Sequence, residues 1–398
     1  MLVMNDVHPA AAGYPFVCPR GLGLHPAYQM LREQAPVAQV PALAGGRRAW
    51  VVTGYHSARF ALLHQELFSR QLAAGLPGSP PLQDTLLGMD GDRHTRVRQV
   101  ASRAFTPRRV DHLRPRIQQT ATHLLEVILV QGPPADLAEW VLWPLPLAVI
   151  GDLLGVPTDD RAQFRTWGDA FVSSSSYDED QAAHAHQAMG AYLAGLIDQR
   201  RRAPADDLLS ALVHDDTSDL TDVELVNLVI AILVGGFETT AHLLGTQVYY
   251  LLTHPQQMAY LRQDLSRLPA AVEELLRTIP LGVGDGLPRV ATADVELEGS
   301  LIRKGDVVFI SAPAANFDAD AFVDADSVDL SRRDNLHLGF GHGPHYCLGA
   351  GLARAEFEVV LATLLERLPG LQLAVEPDEL TWNDRSLIRG LCALPVRW

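Results

Sequence analysis

A single cysteine, Cys347, lies in a Gly- and Pro-dense segment that runs from Phe340 to Gly349 (FGHGPHYCLG). The apolar repeat after it predicts an amphipathic helix over Leu348–Leu368, so Cys347 stands at the helix N-terminus. The free N–H groups and the dipole at that end favour negative charge, which predicts a lowered thiol pKa. Gly343 and Gly349 leave the backbone bare, so a flat ligand could approach closely. A thiolate backed by N–H donors under a broad ligand is what haem iron with cysteine ligation requires.

Three other interpretations of Cys347 are open from the residues alone. A lone cysteine is most often a small buried hydrophobe, as we expect for Cys18 and Cys392. The histidines around Cys347 suggest zinc, but their spacing matches no structural zinc pattern and the cluster offers one thiolate. A nucleophilic cysteine with a histidine partner lacks a local sequence signature.

A second polar group interrupts a long apolar helix, which opens at the capping-box pattern of Thr221 and Glu224. The run Gly235–Thr240 (GGFETT) places two glycines inside this helix, which costs about 2 kcal/mol relative to alanine. Close helix packing is the structural explanation, and a groove for a small ligand such as O₂ is the functional one. Thr239 can hydrogen-bond its own helix backbone, and Glu238 is costly to bury ionised. The pair therefore suggests a proton relay beside a polar channel or water.

The segment around Cys347 resembles the haem-binding loop of the cytochrome P450 family, which reads Phe-x-x-Gly-x-(Arg/His)-x-Cys-x-Gly. The matching residues are Phe340, Gly343, His345, Cys347 and Gly349. The run Gly235–Thr240 resembles the family's (Ala/Gly)-Gly-x-(Asp/Glu)-Thr signature. The resemblance covers nearly the whole chain and is closest to the soluble bacterial branch. It implies the cytochrome P450 fold, mainly α with a small β-sheet, in a single domain over residues 1–398.

Further site residues follow from the same resemblance. Glu274 and Arg277 match the family's Glu-x-x-Arg pair, which braces the cysteine loop, and Arg332 falls where a third partner commonly sits. The donors implied for the two haem propionates are His94, Arg98, Arg289 and His345. The other residues implied to contact the cofactor are Phe340, Gly341, Gly349 and Gly235.

The resemblance implies an oxidoreductase that holds haem b through Cys347, uses O₂ as co-substrate and takes protons through Glu238 and Thr239. Electrons are expected from a separate ferredoxin and its reductase, which draw on NAD(P)H. The reaction implied is hydroxylation of a small secondary metabolite, or C–C or C–N coupling of an aromatic one such as a cyclic dipeptide. The alternative is a haem-binding sensor or carrier, which has no need of proton delivery. Phe237, where many relatives carry a polar residue, predicts an aromatic cavity beside the haem.

The composition of the chain restricts its class of protein, its partners and its location. The chain has 398 residues, 47% of them apolar and 20% charged, which is enough to bury a large core. A net charge of −15 disfavours binding to nucleic acid. Three scattered cysteines predict a reducing compartment, and we expect the cytoplasm. No secretory signal pattern opens the chain, and its uncharged apolar runs fall short of a membrane span, so no membrane is expected.

The surrounding pattern predicts the elements that must position these residues. Val37–Gly54 is typical of a hairpin with a Gly-Gly turn, and Val290–Ser311 of short strands. Helices are predicted from Arg93 to about Val130 with a break at Thr106-Pro107, and through most of the middle of the chain. The segments in which substrate choice is expected to lie are Arg70–Met89, Ser173–Asp180, Leu281–Leu287 and Ser386–Ile388.

A basic segment lies between Gly91 and Arg116, where eight arginines face only two acidic residues. In a chain of net charge −15, this local excess predicts a docking surface for an acidic ferredoxin on the cysteine side of the haem. Arg96 and Arg103 are expected to contribute to it.

Overall fold

The computed structural model describes residues 14, 16, 21–41, 48–76, 82–103, 105–172, 179–215, 219–282, 285–383 and 386–398. Helices dominate this part of the chain. The α-helices are α1 (Pro26–Gln34), α2 (Tyr55–Leu63), α3 (Arg70–Ala74), α4 (Gly91–Ser102), α5 (Pro107–Gln131), α6 (Pro144–Leu154), α7 (Arg161–Val172), α8 (Glu179–Arg202), α9 (Leu208–Val213), α10 (Asp222–Thr253), α11 (Pro255–Gln263), α12 (Leu268–Thr278), α13 (Ala312–Ala315) and α14 (Ala350–Arg367). A π-helical turn, Ala138–Leu142, precedes α6.

The strands are short and form three small sheets. They are β1 (Val37–Pro41), β2 (Arg48–Val52), β3 (Phe68–Ser69), β4 (Ala135–Asp136), β5 (Arg289–Ala291), β6 (Val295–Leu297), β7 (Ser300–Ile302), β8 (Val307–Ile310), β9 (Gln372–Leu373) and β10 (Pro395–Arg397). The largest sheet has the order β1-β2-β8-β5-β3, with β2 and β8 parallel and the other pairs antiparallel. The mainly α fold with a small sheet is confirmed.

Several local predictions are confirmed. The first hairpin forms with Val37 opposite Val52, although its Gly-Gly turn falls outside the described residues. The break at Thr106-Pro107 separates α4 from α5, because the Thr106 hydroxyl caps α5 by accepting the Arg109 N–H. At the start of α10, Thr221 and Glu224 form the predicted capping box.

Two predictions need correction. The glycines and prolines of Arg70–Met89 predict a long irregular loop, but the segment is not loop throughout, because α3 opens it with the Ser69 hydroxyl as N-cap. The helix predicted from Leu348 begins at Ala350, so Cys347 lies three residues ahead of α14 rather than at its first turn. Residues 77–81, 173–178 and 283–284 of the predicted substrate segments lie outside the described residues.

The core is built around α10, which packs against α6, α8 and α14. By length and apolar composition this helix could cross a membrane, since an 18-residue window reaches a mean hydropathy of 1.6. However, 78% of that window is buried inside the protein, which is typical of a central core helix. The sequence predicted a long apolar helix here but no membrane span, because Asn227 and Glu238 interrupt its uncharged apolar runs.

Candidate haem-thiolate site

Cys347 is held by the backbone of its own loop. Its N–H donates to the carbonyl oxygen of Phe340 at 2.8 Å, and its side chain is exposed. Although Cys347 is exposed to solvent, the dense protein around it disfavours the thiolate and raises the pKa of the thiol, whereas the Gly349 N–H and the charges of Arg98 and Arg354 lower it. The predicted lowering of the thiol pKa is therefore not seen in the protein alone, because loss of hydration outweighs these donors. Of the other cysteines, Cys392 is exposed and not buried as expected, and Cys18 lies outside the described residues.

The two glycines that were expected to expose the loop backbone differ in role. Gly343 has a φ of +70°, and an added Cβ would lie 2.8 Å from Cα of Leu63 and 2.9 Å from the Leu62 carbonyl oxygen. Gly343 therefore allows the cysteine loop to pack closely against the end of α2, and a side chain here would clash with that helix. At Gly349 an added Cβ would meet no heavy atom within 4 Å, so this glycine faces open space.

The paired glycines of α10 differ in role: close helix packing explains Gly236, and open space for a small ligand explains Gly235. An added Cβ at Gly236 would lie 2.9 Å from Cδ1 of Ile150, so Gly236 allows α6 to pack closely. At Gly235 the same atom would meet nothing within 4 Å. The Thr239 hydroxyl donates to the Gly235 carbonyl oxygen at 2.6 Å, which is the expected bond to the helix backbone. α10 is thus open at Gly235, whose carbonyl oxygen accepts from the Thr239 hydroxyl.

Glu238 lies on a different side of α10 and is fully buried. Both of its carboxyl oxygens are buried, and the polar side chain of Asp169 in α7 lies close to them. Burial, followed by the charge of Asp169 and a side-chain hydrogen bond with it, raises the pKa of Glu238 to about 9, and the charge of Arg165 opposes the shift. Glu238 is therefore a neutral acid at pH 7, and its polar contact is with α7. Phe237 is also fully buried, against Gly168 of α7, so the prediction that it lines a cavity was wrong.

The predicted propionate donors come together from three elements. The rings of His94 (α4) and His345 (cysteine loop) lie 4.2 Å apart between centroids. Arg98 donates to the Tyr346 carbonyl oxygen at 2.5 Å, and Arg289 (β5) donates to the Phe68 carbonyl oxygen at 3.1 Å. Burial lowers the pKa of His94 to about 4 and that of His345 to about 3, so both rings are neutral at pH 7.

The predicted brace around Glu274 is formed. Arg277 donates to both carboxyl oxygens of Glu274 at 2.8 and 2.9 Å, and Arg332 donates to one of them at 3.0 Å. Glu274 and Arg277 are 0% and 1% exposed. Arg277 also donates to the carbonyl oxygens of Asn316 and Ala325 at 2.7 Å each. These bonds hold together the segment that leads to the cysteine loop, since the Leu338 N–H donates to the Asn316 side chain at 2.7 Å.

Sequence reasoning missed two acidic residues that organise the loop. Asp90 accepts from Ser69 Oγ at 2.7 Å and from the Gln71 N–H at 2.9 Å, and its other oxygen lies 3.4 Å from His345 Nε2. Glu273 receives a two-point ion pair from Arg354 at 2.6 and 2.8 Å. Only the position of Asp90 just before α4, as its N-cap, signalled a role in the sequence.

The donor set fits a haem. Two buried donor atoms, His94 Nε2 and Arg289 Nη2, have no hydrogen-bond partner, which suits the oxygens of a bound anion. Gly349 and Gly235 face open space, as the approach of a flat ligand requires. Among the residues that the structure describes, no three His, Cys, Asp or Glu side chains form a metal site. The single thiol thus suits axial ligation of haem iron better than the zinc alternative.

This chain belongs to the cytochrome P450 family, and the cytochrome P450 family model matches residues 171–379. It is therefore a haem-thiolate monooxygenase that uses O₂ and electrons from redox partners.

Three relatives illustrate the breadth of this family. The chain is 44% identical to nocardicin C N-oxygenase of Nocardia uniformis subsp. tsuyamanensis, over 97% of this chain and 98% of that protein. It is 44% identical to the solved LnmA hydroxylase of the leinamycin biosynthetic pathway of Streptomyces atroolivaceus, over 97% and 100%, with a TM-score of 0.90. It is 37% identical to the solved cytochrome P450mel, described as having biaryl coupling reactivity, over 97% and 100%, with a TM-score of 0.92.

Fewer arginines of the basic segment are available to bind a partner than the sequence predicted. Arg96 pairs with Glu224 at 2.5 Å and with Asp219 at 3.2 Å, and Arg103 pairs with Asp215. The other arginines of the segment held in ion pairs are Arg93, Arg114 and Arg116. In the described part of the chain, the side chains of Arg108 and Arg109 are exposed and carry no ion pair. A docking surface here would depend on these two residues.

Proposed function

We propose that this monooxygenase oxidises a small organic molecule in a tailoring step of secondary metabolism, with haem b ligated by Cys347. The observation that carries this proposal is the position of Cys347, which is anchored to the Phe340 carbonyl oxygen at 2.8 Å and is exposed two residues before Gly349, a glycine with open space beside it. When bound, haem with thiolate ligation supplies the reduction of O₂ and the oxidising power directed at the substrate.

The propionate end is assigned to four donors, His94, Arg98, Arg289 and His345. The unpartnered atoms His94 Nε2 and Arg289 Nη2 support this assignment, because buried donors are almost always paired in a working protein. Phe340, Gly341, Gly349 and Gly235 are assigned to the faces of the cofactor. Glu274, Arg277 and Arg332 position the loop and touch no substrate.

Proton supply is assigned to Thr239 and Glu238. The Thr239 hydroxyl, which donates to the Gly235 carbonyl oxygen, lies where α10 is open, so its proton can be passed on and replaced. Glu238, the next residue, holds a proton at neutral pH because burial raises its pKa to about 9. A buried neutral acid one residue from this hydroxyl is a suitable proton reserve.

Electrons are proposed to come from NAD(P)H through a ferredoxin reductase and a ferredoxin in the cytoplasm. The unpaired Arg108 and Arg109 at the start of α5 favour an acidic partner. No nucleic acid or membrane is part of the proposed reaction.

Two outcomes for the substrate are proposed. In hydroxylation, one oxygen atom of O₂ enters a C–H bond and the other leaves as water, with two electrons and two protons consumed. In ring coupling, a C–C or C–N bond replaces two bonds to hydrogen, and the same O₂ and electrons yield two waters. Hydroxylation is the first candidate, and coupling of an aromatic substrate such as a cyclic dipeptide is the second. The likeness to cytochrome P450mel supports the second candidate.

The test is a screen of small molecules for a low- to high-spin shift, followed by turnover with a surrogate ferredoxin, its reductase and NADPH. Gain of one oxygen atom in the product, measured by mass spectrometry, identifies hydroxylation, and loss of two hydrogen atoms identifies coupling. Consumption of NADPH without product from any spin-shifting ligand would contradict the proposed reaction.

A further inference from the structure

Arg70, the first residue of α3, is a cation that neither the family pattern nor the proposed function uses. Its Nη1 donates to the carbonyl oxygen of Leu87 at 3.3 Å. Its Nε is buried and has no hydrogen-bond partner. Burial lowers the pKa of Arg70 to about 10, which leaves the side chain charged at neutral pH.

The neighbouring acid does not satisfy this charge. Asp90 is the acid whose charge acts on Arg70, yet its Oδ2 already accepts from Ser69 and Gln71, and its Oδ1 faces His345. No ion pair joins Arg70 to Asp90 or to another acid in the described part of the chain. A buried guanidinium donor without an acceptor is costly, so an acceptor from outside the protein is expected.

The charges around Arg70 do not balance. The guanidinium groups of Arg70 and Arg289 both interact with the single carboxylate of Asp90. One positive charge is therefore left without a counterion among these three residues, and burial raises the cost of leaving it so.

Arg70 also borders a small cavity between α3 and the segments that follow it. The remaining residues that line this cavity are apolar or small, namely Ala73, Ala74, Leu82, Leu87, Gly88, Leu287 and Pro288. One charged donor at the edge of an apolar lining is the usual composition of a site that orients an organic acid.

We propose that Arg70 binds a carboxylate that the protein does not itself supply. This inference rests on the proposed function, because the two sources of such a carboxylate are a haem propionate and an acidic group on the substrate. A carboxylate accepts two parallel hydrogen bonds from a guanidinium, so Arg70 fixes the orientation of the acid as well as its charge.

The test compares Arg70→Gln with Arg70→Lys, which keeps the charge but loses the two-point geometry. Arg303→Gln is the matched control, since Arg303 is 64% exposed and pairs with Asp294 at a distant turn. The first measurement is the rate of haem transfer from each holoprotein to apomyoglobin. The second is the Kd of phenylpropionate and of its uncharged amide from the spin-state titration.

If a haem propionate is the ligand, Arg70→Gln loses haem about tenfold faster than the unmutated protein, or faster still. The rate for Arg70→Lys then falls between those of Arg70→Gln and the unmutated protein. If a substrate acid is the ligand, haem loss is unchanged, whereas the Kd of phenylpropionate rises about tenfold and that of the amide does not. The inference is overturned if both measurements match Arg303→Gln. The carbon monoxide spectrum of the unmutated protein reports on thiolate ligation separately, so failure of the proposed function would be seen there.

Discussion

Oε2 of Glu238 lies 3.9 Å from Nε2 of His242, one turn further along α10, and the two side chains are 0% and 3% exposed. Burial raises the pKa of Glu238 to about 9 and lowers that of His242 to about 4. Both groups are therefore uncharged at neutral pH. The charged groups that face them from α7 are Asp169 and Arg165, and their effects on Glu238 oppose each other.

The raised pKa of Glu238 predicts how stability changes with pH. The unfolded chain releases this proton near pH 4.5, whereas the folded protein keeps it until about pH 9. Because the folded state binds more protons between these values, Glu238 lowers stability progressively as pH rises from about 4.5 to 9. Relative to the unmutated protein, Glu238→Gln should therefore become more stable as pH rises from 5 to 8, by on the order of 1–3 kcal/mol in the free energy of unfolding. The gain is measured as a rise in melting temperature.

The control for this measurement is Glu126→Gln, since Glu126 is exposed and pairs with Arg367 at 3.7 Å, away from Glu238. Its difference from the unmutated protein should stay nearly constant over the same pH range. Parallel melting curves for Glu238→Gln and the unmutated protein at pH 5 and pH 8 would show that Glu238 is ionised in the folded state.

Removal of the Thr239 hydroxyl should uncouple electron use from product formation. Thr239→Ala is expected to bind haem normally and to divert electrons to hydrogen peroxide, so product per NAD(P)H falls severalfold. The matched control is Thr253→Ala, whose hydroxyl bonds the backbone of the same helix at 3.0 Å near its end. Peroxide and product are measured together. Equal coupling in both variants would assign proton delivery to the substrate or to ordered water.

Loss of the Glu274 charge should destabilise the fold and the haem site together. Glu274→Gln leaves Arg277, which is 1% exposed, without its counterion, and breaking such a buried pair costs about 3–5 kcal/mol. We expect a lower melting temperature and incomplete haem incorporation, measured as haem absorbance per protein. Asp264→Asn removes an acid with the same spacing to Arg267 in an exposed pair and should change neither. Full haem content with unchanged melting in Glu274→Gln would contradict the bracing role.

In the docking surface predicted from the basic segment, Arg108 and Arg109 are the residues expected to contact the partner. Reversal of charge at Arg108 and Arg109 together should slow reduction by an acidic ferredoxin, mainly through the association rate and most strongly at low salt. Turnover driven by peroxide should stay intact. Arg48→Glu, at the exposed first residue of β2, is the control. Rates that do not respond to the double variant or to ionic strength would place the docking surface elsewhere.

Arg96→Glu is no longer a clean test of docking. The substitution would set its charge against Glu224, which is 6% exposed and accepts from Arg96 at 2.5 Å. It would therefore loosen the contact between α4 and α10 before it reported on any partner. A local count of charges treats every arginine as free, and only the fold brings residue 96 next to residue 224.

The sequence was most informative where a function depends on neighbours in the chain. The Glu274–Arg277 pair is set by helical spacing, and the anchor of Cys347 on Phe340 spans seven residues. The roles of Gly235 and Gly236 could not be separated in advance, because Ile150 of α6 fills the space beside only one of them.

Residues that act across long separations were missed for a physical reason. Asp90 joins Ser69 to His345, and the second of these contacts links positions 255 residues apart. A role for Arg70 is visible only in the fold, where the guanidinium groups of Arg70 in α3 and Arg289 in β5 share one carboxylate, that of Asp90. Such convergence depends on packing, which local periodicity does not encode. The single domain over residues 1–398 stays a prediction.

The central claim is that Cys347 is the axial ligand of the haem, and the reduced protein with carbon monoxide tests it most directly. The unmutated protein should show the absorption band diagnostic of thiolate ligation, and so should Cys392→Ser and Cys18→Ser. Cys347→Ser should lose that band, since a hydroxyl does not replace a thiolate as the electron donor. Retention of the band in Cys347→Ser, or its absence from the unmutated protein, would contradict the assignment.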